Sequence, residues 1–565
     1  MKKLRWQLLI IFLTGLVVGI LLLGEQPQSV SPQAATPVPV KGGVYTEALV
    51  GSLQRLNPLL NFYNSADRDV SRLIFSGLVR FDGSGSSQPD LAETLGFSKD
   101  GTIYNVTLRK DASWHDGQQV TADDVLFTVD LLRKGSDIVP EDLQDFWKDV
   151  EAVRLSDQVL QFRLPEPFAP FPDYLGFGIL PKHLLDGKTI DQMIDLDFNI
   201  QPVGTGPYRF DRLVVENGEI KGIVLSAFKN YYGQKPYIDE IVFRYYPDAA
   251  AALQAYRDGQ VKGIANVPSE ILPEVLAEPN LSIYTARQPE IAMLLINLKN
   301  QEAATLQDVK IRRALLLGLN RQAIIDKFLN SQAVIADGPI LPDTWAYYNS
   351  LKRVEYDPDA ARALLKEAGF TLAAEGDVVR KKGDVALRFE LAYPDDERHQ
   401  AIAEAIRANW NAIGAEVTLA PVPYENLIKD RLEARDFQVA LADLNLTRTP
   451  DPDPYPFWDR GQAAGGQNYT QWENPVASEY LEQARTTVNV QERAKFYRNF
   501  QILFNQDLPA LPLYYPVYTY AVDNEIQGVR VGPLFDTADR FSNISEWFIA
   551  GRQRQDNAAA PASNP

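Results

Sequence analysis

Cysteine is absent from all 565 residues, which excludes disulfides, thiolate zinc sites, iron–sulfur clusters and cysteine nucleophiles together. Histidine is almost as scarce: His115, His183 and His399 are the complete set, and no two stand at the i, i+4 spacing of a helical zinc site. No metal and no other cofactor is expected. Basic runs with interleaved aromatics are missing as well, and the formal charge is −18, so a polyanion finds no stripe on which to release its counterions and nucleic acid is excluded as a partner. Nucleophile and nucleotide motifs are absent too. There is no Gly-x-Ser-x-Gly elbow; Gly187-Lys188-Thr189 has Lys182 where a phosphate loop needs its first glycine, and Gly204-Thr205-Gly206 has Arg209 where a dinucleotide fingerprint needs its third. Both read as turns. A glycosidase needs only two carboxylates, but 74 acidic residues supply such pairs by number alone, and nothing in their positions supports an enzyme.

What is present begins with a segmented N-terminus. Lys2, Lys3 and Arg5 precede an uncharged apolar run from Leu8 to Leu23, the charged and hydrophobic regions of an export signal. Ser29-Val30-Ser31 offers a cleavage site, while the run is nearly long enough to remain as an anchor, and either outcome places residues 42 onward outside the membrane. Leu22-Leu23-Gly24 is followed by Glu25 where a lipoprotein would carry its acylated cysteine, which leaves an uncleaved anchor as the preferred tether. Residues 25–41, rich in Gln, Pro, Ser and Ala, read as a linker, and residues 551–565 as a disordered tail. The body between them is too long for one core, and 45% hydrophobic residues are enough for two or three domains.

Strands are expected at 43–49, 104–109, on both sides of the turn at 230–236, and at 416–422. Helices are expected over 65–75, from the cap Thr121 with Asp124 three residues later, over 308–328 without a break, from Asp357-Pro358 to a stop at Gly369, and up to Ile413-Gly414. Mixed strand pairs and helix–strand units point to α/β lobes rather than a sandwich or bundle. One loop stands out: Asp451-Pro452-Asp453-Pro454-Tyr455-Pro456-Phe457-Trp458 carries two carboxylates and three aromatics on a proline-stiffened backbone that costs little entropy to order around a ligand.

Several stretches in order resemble one family. They are Phe75-Ser76-Gly77-Leu78-Val79, Pro89-Asp90-Leu91-Ala92-Glu93, Trp114-His115-Asp116-Gly117, Thr121-Ala122-Asp123-Asp124-Val125, Pro202-Val203-Gly204-Thr205-Gly206-Pro207-Tyr208, Asp308-Val309-Lys310-Ile311-Arg312-Arg313-Ala314-Leu315 and Ala363-Leu364-Leu365-Lys366-Glu367-Ala368-Gly369. The chain is similar through them to the extracytoplasmic solute-binding proteins, family 5, of dipeptide, oligopeptide and nickel ABC importers. The resemblance implies an α/β, periplasmic-binding-protein-like type II fold with two hinged lobes and an additional inserted domain. In this numbering lobe I would be 42–78, 204–288 and 515–550, the inserted domain 79–203 and lobe II 289–514. Trp114, His115 and Asp116 would then lie away from the cleft, with a structural role.

The same resemblance implies a substrate-binding protein that closes on a peptide or peptide-like ligand and presents it to an ABC permease and its ATPase, as a monomer. Relatives grip the ligand main chain as an added β-strand, with an acid three residues before the Asp-Pro pair holding the amino group. Here that place is Arg448, so Asp451, Asp453 or Asp443 takes over, or Arg448 meets an anionic group. Further contacts implied are Asn61, Phe62 and Tyr63 from the first lobe, His399 near the far end of the ligand, Asn445, Tyr455 and Trp458 around the loop, and Tyr514 and Tyr515 at a crossing between lobes. An oligosaccharide receptor of the same fold, with Tyr455, Trp458 and Trp472 as stacking platforms, is the alternative.

Overall fold

The computed structural model describes residues 38–374, 376–446 and 450–550. The apolar run at 8–23, Arg448 and the tail from residue 551 lie outside the described residues. Among those described, no helix is long and apolar enough to cross a membrane.

The architecture is organised by one long strand, Ala510–Asp523, that belongs to two half-sheets. Its C-terminal part, residues 517–523, pairs with Leu281–Arg287, and through Gly263–Ile264 it joins the strands Val44–Val50, Glu240–Tyr246, Glu219–Ala227 and Tyr208–Glu216. Its N-terminal part, residues 510–514, pairs with Glu290–Ile296, which continues to Val439–Asn445, Arg388–Pro394 and Glu416–Val422. Only Gln288 and Pro289 separate Leu281–Arg287 from Glu290–Ile296, so the chain changes half-sheets there a second time, beside the long strand. Pro512 and Pro516 remove two backbone donors in the stretch where the long strand changes partners, positions at which a central strand would otherwise lose ladder bonds. A separate four-stranded antiparallel sheet, Ala92–Phe97, Ile103–Leu108, Val159–Arg163 and Glu151–Arg154, lies within residues 79–203.

The sequence explains these elements locally. Residues 291–296, Ile-Ala-Met-Leu-Leu-Ile, are apolar without alternation because both faces of that strand are covered. Helix Ala122–Lys134 starts in a capping box between Thr121 and Asp124. Asp357 caps Pro358–Glu367, and Gly414 at φ 94° ends Glu397–Ile413. Between Asp308 and Phe328 there are two helices, Val309–Leu317 and Arg321–Phe328, because Asn320 caps a new start by accepting from the Ala323 N–H. The sequence expectation of one helix is corrected on this point: the apolar period continues across the gap, but the backbone does not.

The turn at Gly204-Thr205-Gly206 is pinned onto the end of helix Ser65–Ile74. A Cβ on Gly204 would sit 2.0 Å from the Ile74 carbonyl oxygen, and one on Gly206 2.4 Å from that of Leu73. His115 locks the turn from outside: Nδ1 accepts from the Gly204 N–H at 3.1 Å and Nε2 donates to the Gly206 carbonyl at 3.1 Å. Burial lowers its pKa to about 4, so the ring is neutral, as an accepting Nδ1 requires. Arg540 is fully buried against Glu47 at 2.6 Å and Asp69 at 2.7 Å, which ties the C-terminal segment to the first strand and first helix.

Candidate functional site

The two half-sheets meet at Arg287–Glu290 and at residues 514–517, and the chemistry-bearing side chains gather at this crossing. On the second half-sheet, Ala292 stands opposite both Asp443 and Tyr514 in the register, so a small residue separates an acid from a tyrosine on one face. His399, in the first turn of Glu397–Ile413, reaches Asp443 with Nε2 at 3.0 Å and Asp396 with Nδ1 at 2.5 Å. The other Asp443 oxygen, Oδ1, is buried without a hydrogen-bond partner among the described residues. Arg398 lies 3.6 Å from Asp443 Oδ2.

Two carboxylates on one imidazole set its charge. Burial alone would pull the His399 pKa down, but its hydrogen bonds to Asp443 and Asp396 outweigh burial, and the net shift is upward. Both ring nitrogens then act as donors. Glu290, the first residue after the crossing, is raised to about 7 by burial and by the neighbouring Asp443 charge. The Tyr514 hydroxyl is raised by burial and then by Asp443. The face therefore holds more acid than base, and it favours a ligand group that donates hydrogen bonds.

The loop singled out in the sequence is built differently from its composition. Asp451 Oδ2 pairs with Arg493 at 2.6 Å, with both side chains only 4% exposed, and Oδ1 accepts from Tyr497 at 3.3 Å and from the Asp453 N–H at 3.1 Å. Its own N–H donates to Oδ2 of Asp173, 278 residues earlier in the chain, at 2.6 Å. Asp453 Oδ2 pairs with Arg485 at 3.1 Å, and that guanidinium stacks over Tyr455 at 4.3 Å. Trp458 and Trp472 pack edge-on against Phe504 and are buried. They offer no stacking platform for a sugar.

The remaining expected contacts are dispersed. Asn61 is buried, Phe62 packs on the largest core, and Tyr63 is 79% exposed. Asn445 ends its strand opposite Glu290, and Tyr515 is buried with its hydroxyl donating to the carbonyls of Gly338 and Ile340. Thus His399 and Tyr514 come together at the crossing, while Asp451, Asp453 and Tyr455 form a second, interior cluster around Arg485 and Arg493. Sequence reasoning missed Glu290, Arg287 and the segment 337–355. Pro289, between two strand-like runs, was the available signal for the first two.

Two cavities adjoin at the crossing. One of about 590 Å³ is lined by Arg287, Ile335, Trp345 and Tyr515 among others, and one of about 310 Å³ by Ala286, Leu341, Leu534 and Phe535 among others. A strand shared by two half-sheets, with cavities at the place of sharing, gives the two halves a common line about which a hinge can close.

Comparison with known proteins agrees. Residues 87–467 match the model of the bacterial extracellular solute-binding proteins, family 5 Middle. This chain belongs to that family. It is 26% identical over 535 residues to the oligopeptide-binding protein AppA of Bacillus subtilis, covering 93% of this chain and 95% of the relative. It is 26% identical over 540 residues to the dipeptide-binding protein of Escherichia coli, covering 91% and 96%. Among solved structures, Bacillus subtilis AppA in complex with a nonapeptide superposes with a TM-score of 0.65 at 25% identity, over 91% of this chain and all of that one. The fold is the two-lobe type II fold expected from the sequence, and members of the family are extracellular binding proteins.

Proposed function

We propose that this chain is the substrate-binding component of an ABC importer, which captures peptides or peptide-like solutes outside the membrane by lobe closure and delivers them to a permease and its ATPase. The observation that carries the reading is the strand Ala510–Asp523 shared by two half-sheets, with cavities at the crossing. Only the shut, ligand-filled arrangement would engage the permease. The ligand class comes from the relatives, whose names are those of oligopeptide- and dipeptide-binding proteins. No reaction on the ligand is part of the proposal, and the protein acts as a monomer.

The same reading divides the body into lobe I at 42–78, 204–288 and 515–550, an inserted domain at 79–203 and lobe II at 289–514. Residues 61–63 would face the ligand from lobe I, with His399, Asn445, Arg448 and Tyr514 facing it from lobe II. Asp451 and Asp453, committed to Arg493 and Arg485, would hold the loop in place. The apolar run at 8–23 would tether the protein to the outer face of the membrane.

A thermal-shift screen of di- to hexapeptides, N-blocked peptides and oligosaccharides tests the proposal. A true ligand at a hundred times its Kd adds about 2.7 kcal/mol to the stability of the folded state. Stabilisation by oligosaccharides alone would overturn the peptide reading. Arg448→Asp should shift preference toward peptides with a free amino group, and an unchanged preference removes Arg448 from the site.

A further inference from the structure

Arg287 is the last residue of its strand, held by pairing with Val517 where the chain leaves one half-sheet for the other. It lines both cavities, as do Pro342, Asp343 and Thr344. We propose that Arg287 is the receptor for a carboxylate of the bound ligand, that Asp343 fills that receptor before ligand arrives, and that the smaller cavity takes an apolar side chain adjacent to the carboxylate.

The donors of Arg287 are incompletely used. Nη1 donates to Asp343 Oδ2, while Nε is buried without a hydrogen-bond partner among the described residues. A planar guanidinium presents its two terminal nitrogens end-on as a fork that matches the two oxygens of a carboxylate. Asp343 engages only Nη1. It sits between Pro342 and Thr344 in the left-handed region at φ 67°, and its side chain is 63% exposed. An ion pair with so exposed a partner is weak. A ligand carboxylate entering the cavity can take both terminal nitrogens and displace the exposed Asp343 at small cost.

The other charges nearby do not compete equally. Arg353 is committed to Asp337 through two bonds, Nε to Oδ1 at 2.8 Å and Nη2 to Oδ2 at 3.0 Å. Glu355 also lines the larger cavity and repels a second carboxylate, so the site takes one. The smaller cavity, beyond Arg287, is walled by Leu341, Val531, Pro533, Leu534 and Phe535. Its volume of about 310 Å³ leaves room for one large apolar side chain. The combination selects an apolar residue next to a carboxylate, either a peptide's C-terminus or an acidic side chain beside an apolar one.

The inference rests on the peptide reading above, and calorimetry on the full chain separates the two. Peptides of two to six residues ending in Leu or Phe are titrated as free acids and as C-terminal amides, with a parallel set carrying an internal Glu or Gln. Wild type should prefer the carboxylate form by about 30-fold or more. Preference for acid over amide assigns the C-terminus, and preference for Glu over Gln assigns a side chain. Arg287→Gln should reduce that ratio to within about twofold while binding of the uncharged form is kept. Asp343→Asn, which leaves Arg287 in place and serves if the first variant fails to fold, should strengthen the carboxylate form several-fold and leave the uncharged form unchanged. Peptide binding with the same carboxylate preference in wild type and both variants overturns the inference and leaves the peptide reading standing. Absence of binding by every peptide overturns both.

Discussion

At the residue scale, the cluster at the crossing makes stability depend on pH in a defined direction. The folded pKa of His399 lies above its unfolded value of about 6.5, so its contribution is complete below that pH and is lost as pH rises through the raised value. The Glu290 pKa is also raised, to about 7, so the folded state binds its proton more tightly than the unfolded chain, and stability again falls between about pH 4.3 and 7. Asp396 is held low by hydrogen bonds from the His399 backbone and ring, despite partial burial, and its contribution disappears only in acid. The three titrate as a coupled group. Urea unfolding between pH 5 and 8.5 should therefore show declining stability, and Glu290→Gln should flatten the decline while raising stability at pH 8. A wild-type profile that rises over this interval would contradict the arrangement. The interior cluster yields a second expectation: Arg493→Met breaks the buried ion pair with Asp451 and should cost about 3–5 kcal/mol in the same measurement. This cluster was only half legible. Its acids are adjacent in Asp451-Pro452-Asp453, but the arginines that consume them come 32 and 42 residues later, on helices Pro475–Thr486 and Val490–Asp507. No local pattern links a loop to a distant helix face.

At the scale of elements, capping and turn chemistry was readable because it is local. Thr121 with Asp124, Asp357-Pro358 and Gly414 each mark a boundary with side chains only a few residues apart. Strand partnership was not readable in the same way. The segment 510–523 carries Pro512 and Pro516, which taken alone argue against a central strand, and only the change of partners between half-sheets makes them tolerable. The turn at 204–206 lies between these cases. Its glycines were visible, but the need for them comes from backbone 130 residues away at Leu73 and Ile74. Gly204→Ala must push the turn from that helix end and should cost about 2–4 kcal/mol, with loss of both His115 hydrogen bonds. The measurable sign is a rise of the His115 pKa from about 4 toward its usual range in NMR titration as the ring becomes wetted. An unchanged titration in the variant would show that His115 is not held by the turn.

At the scale of the molecule, the stretch 79–203, which holds the separate four-stranded sheet, touches residues 345–485 at several points. The Trp345 N–H donates to the Ser84 carbonyl at 3.3 Å, the Ala169 N–H to that of Arg485 at 2.6 Å, and the Asp451 N–H to Asp173. Arg485 also lies over the Phe168 ring at 5.0 Å while stacking on Tyr455. Lobes that separate to admit a ligand must release such contacts or move with them. If closure makes them, they favour the shut state, and apparent affinity carries the fraction of molecules already able to shut. Arg485→Ala removes the guanidinium from between Phe168 and Tyr455 and strips Asp453 of its partner. Besides some loss of stability, the variant should bind its peptide about 5–30-fold more weakly, through faster dissociation rather than slower association. Surface plasmon resonance reports both rates, and small-angle scattering of the ligand-free variant should give a larger radius of gyration than wild type. Weakened binding with unchanged dissociation, and identical scattering, would mean that these contacts belong to a rigid pair and that the moving boundary lies only along the strand Ala510–Asp523.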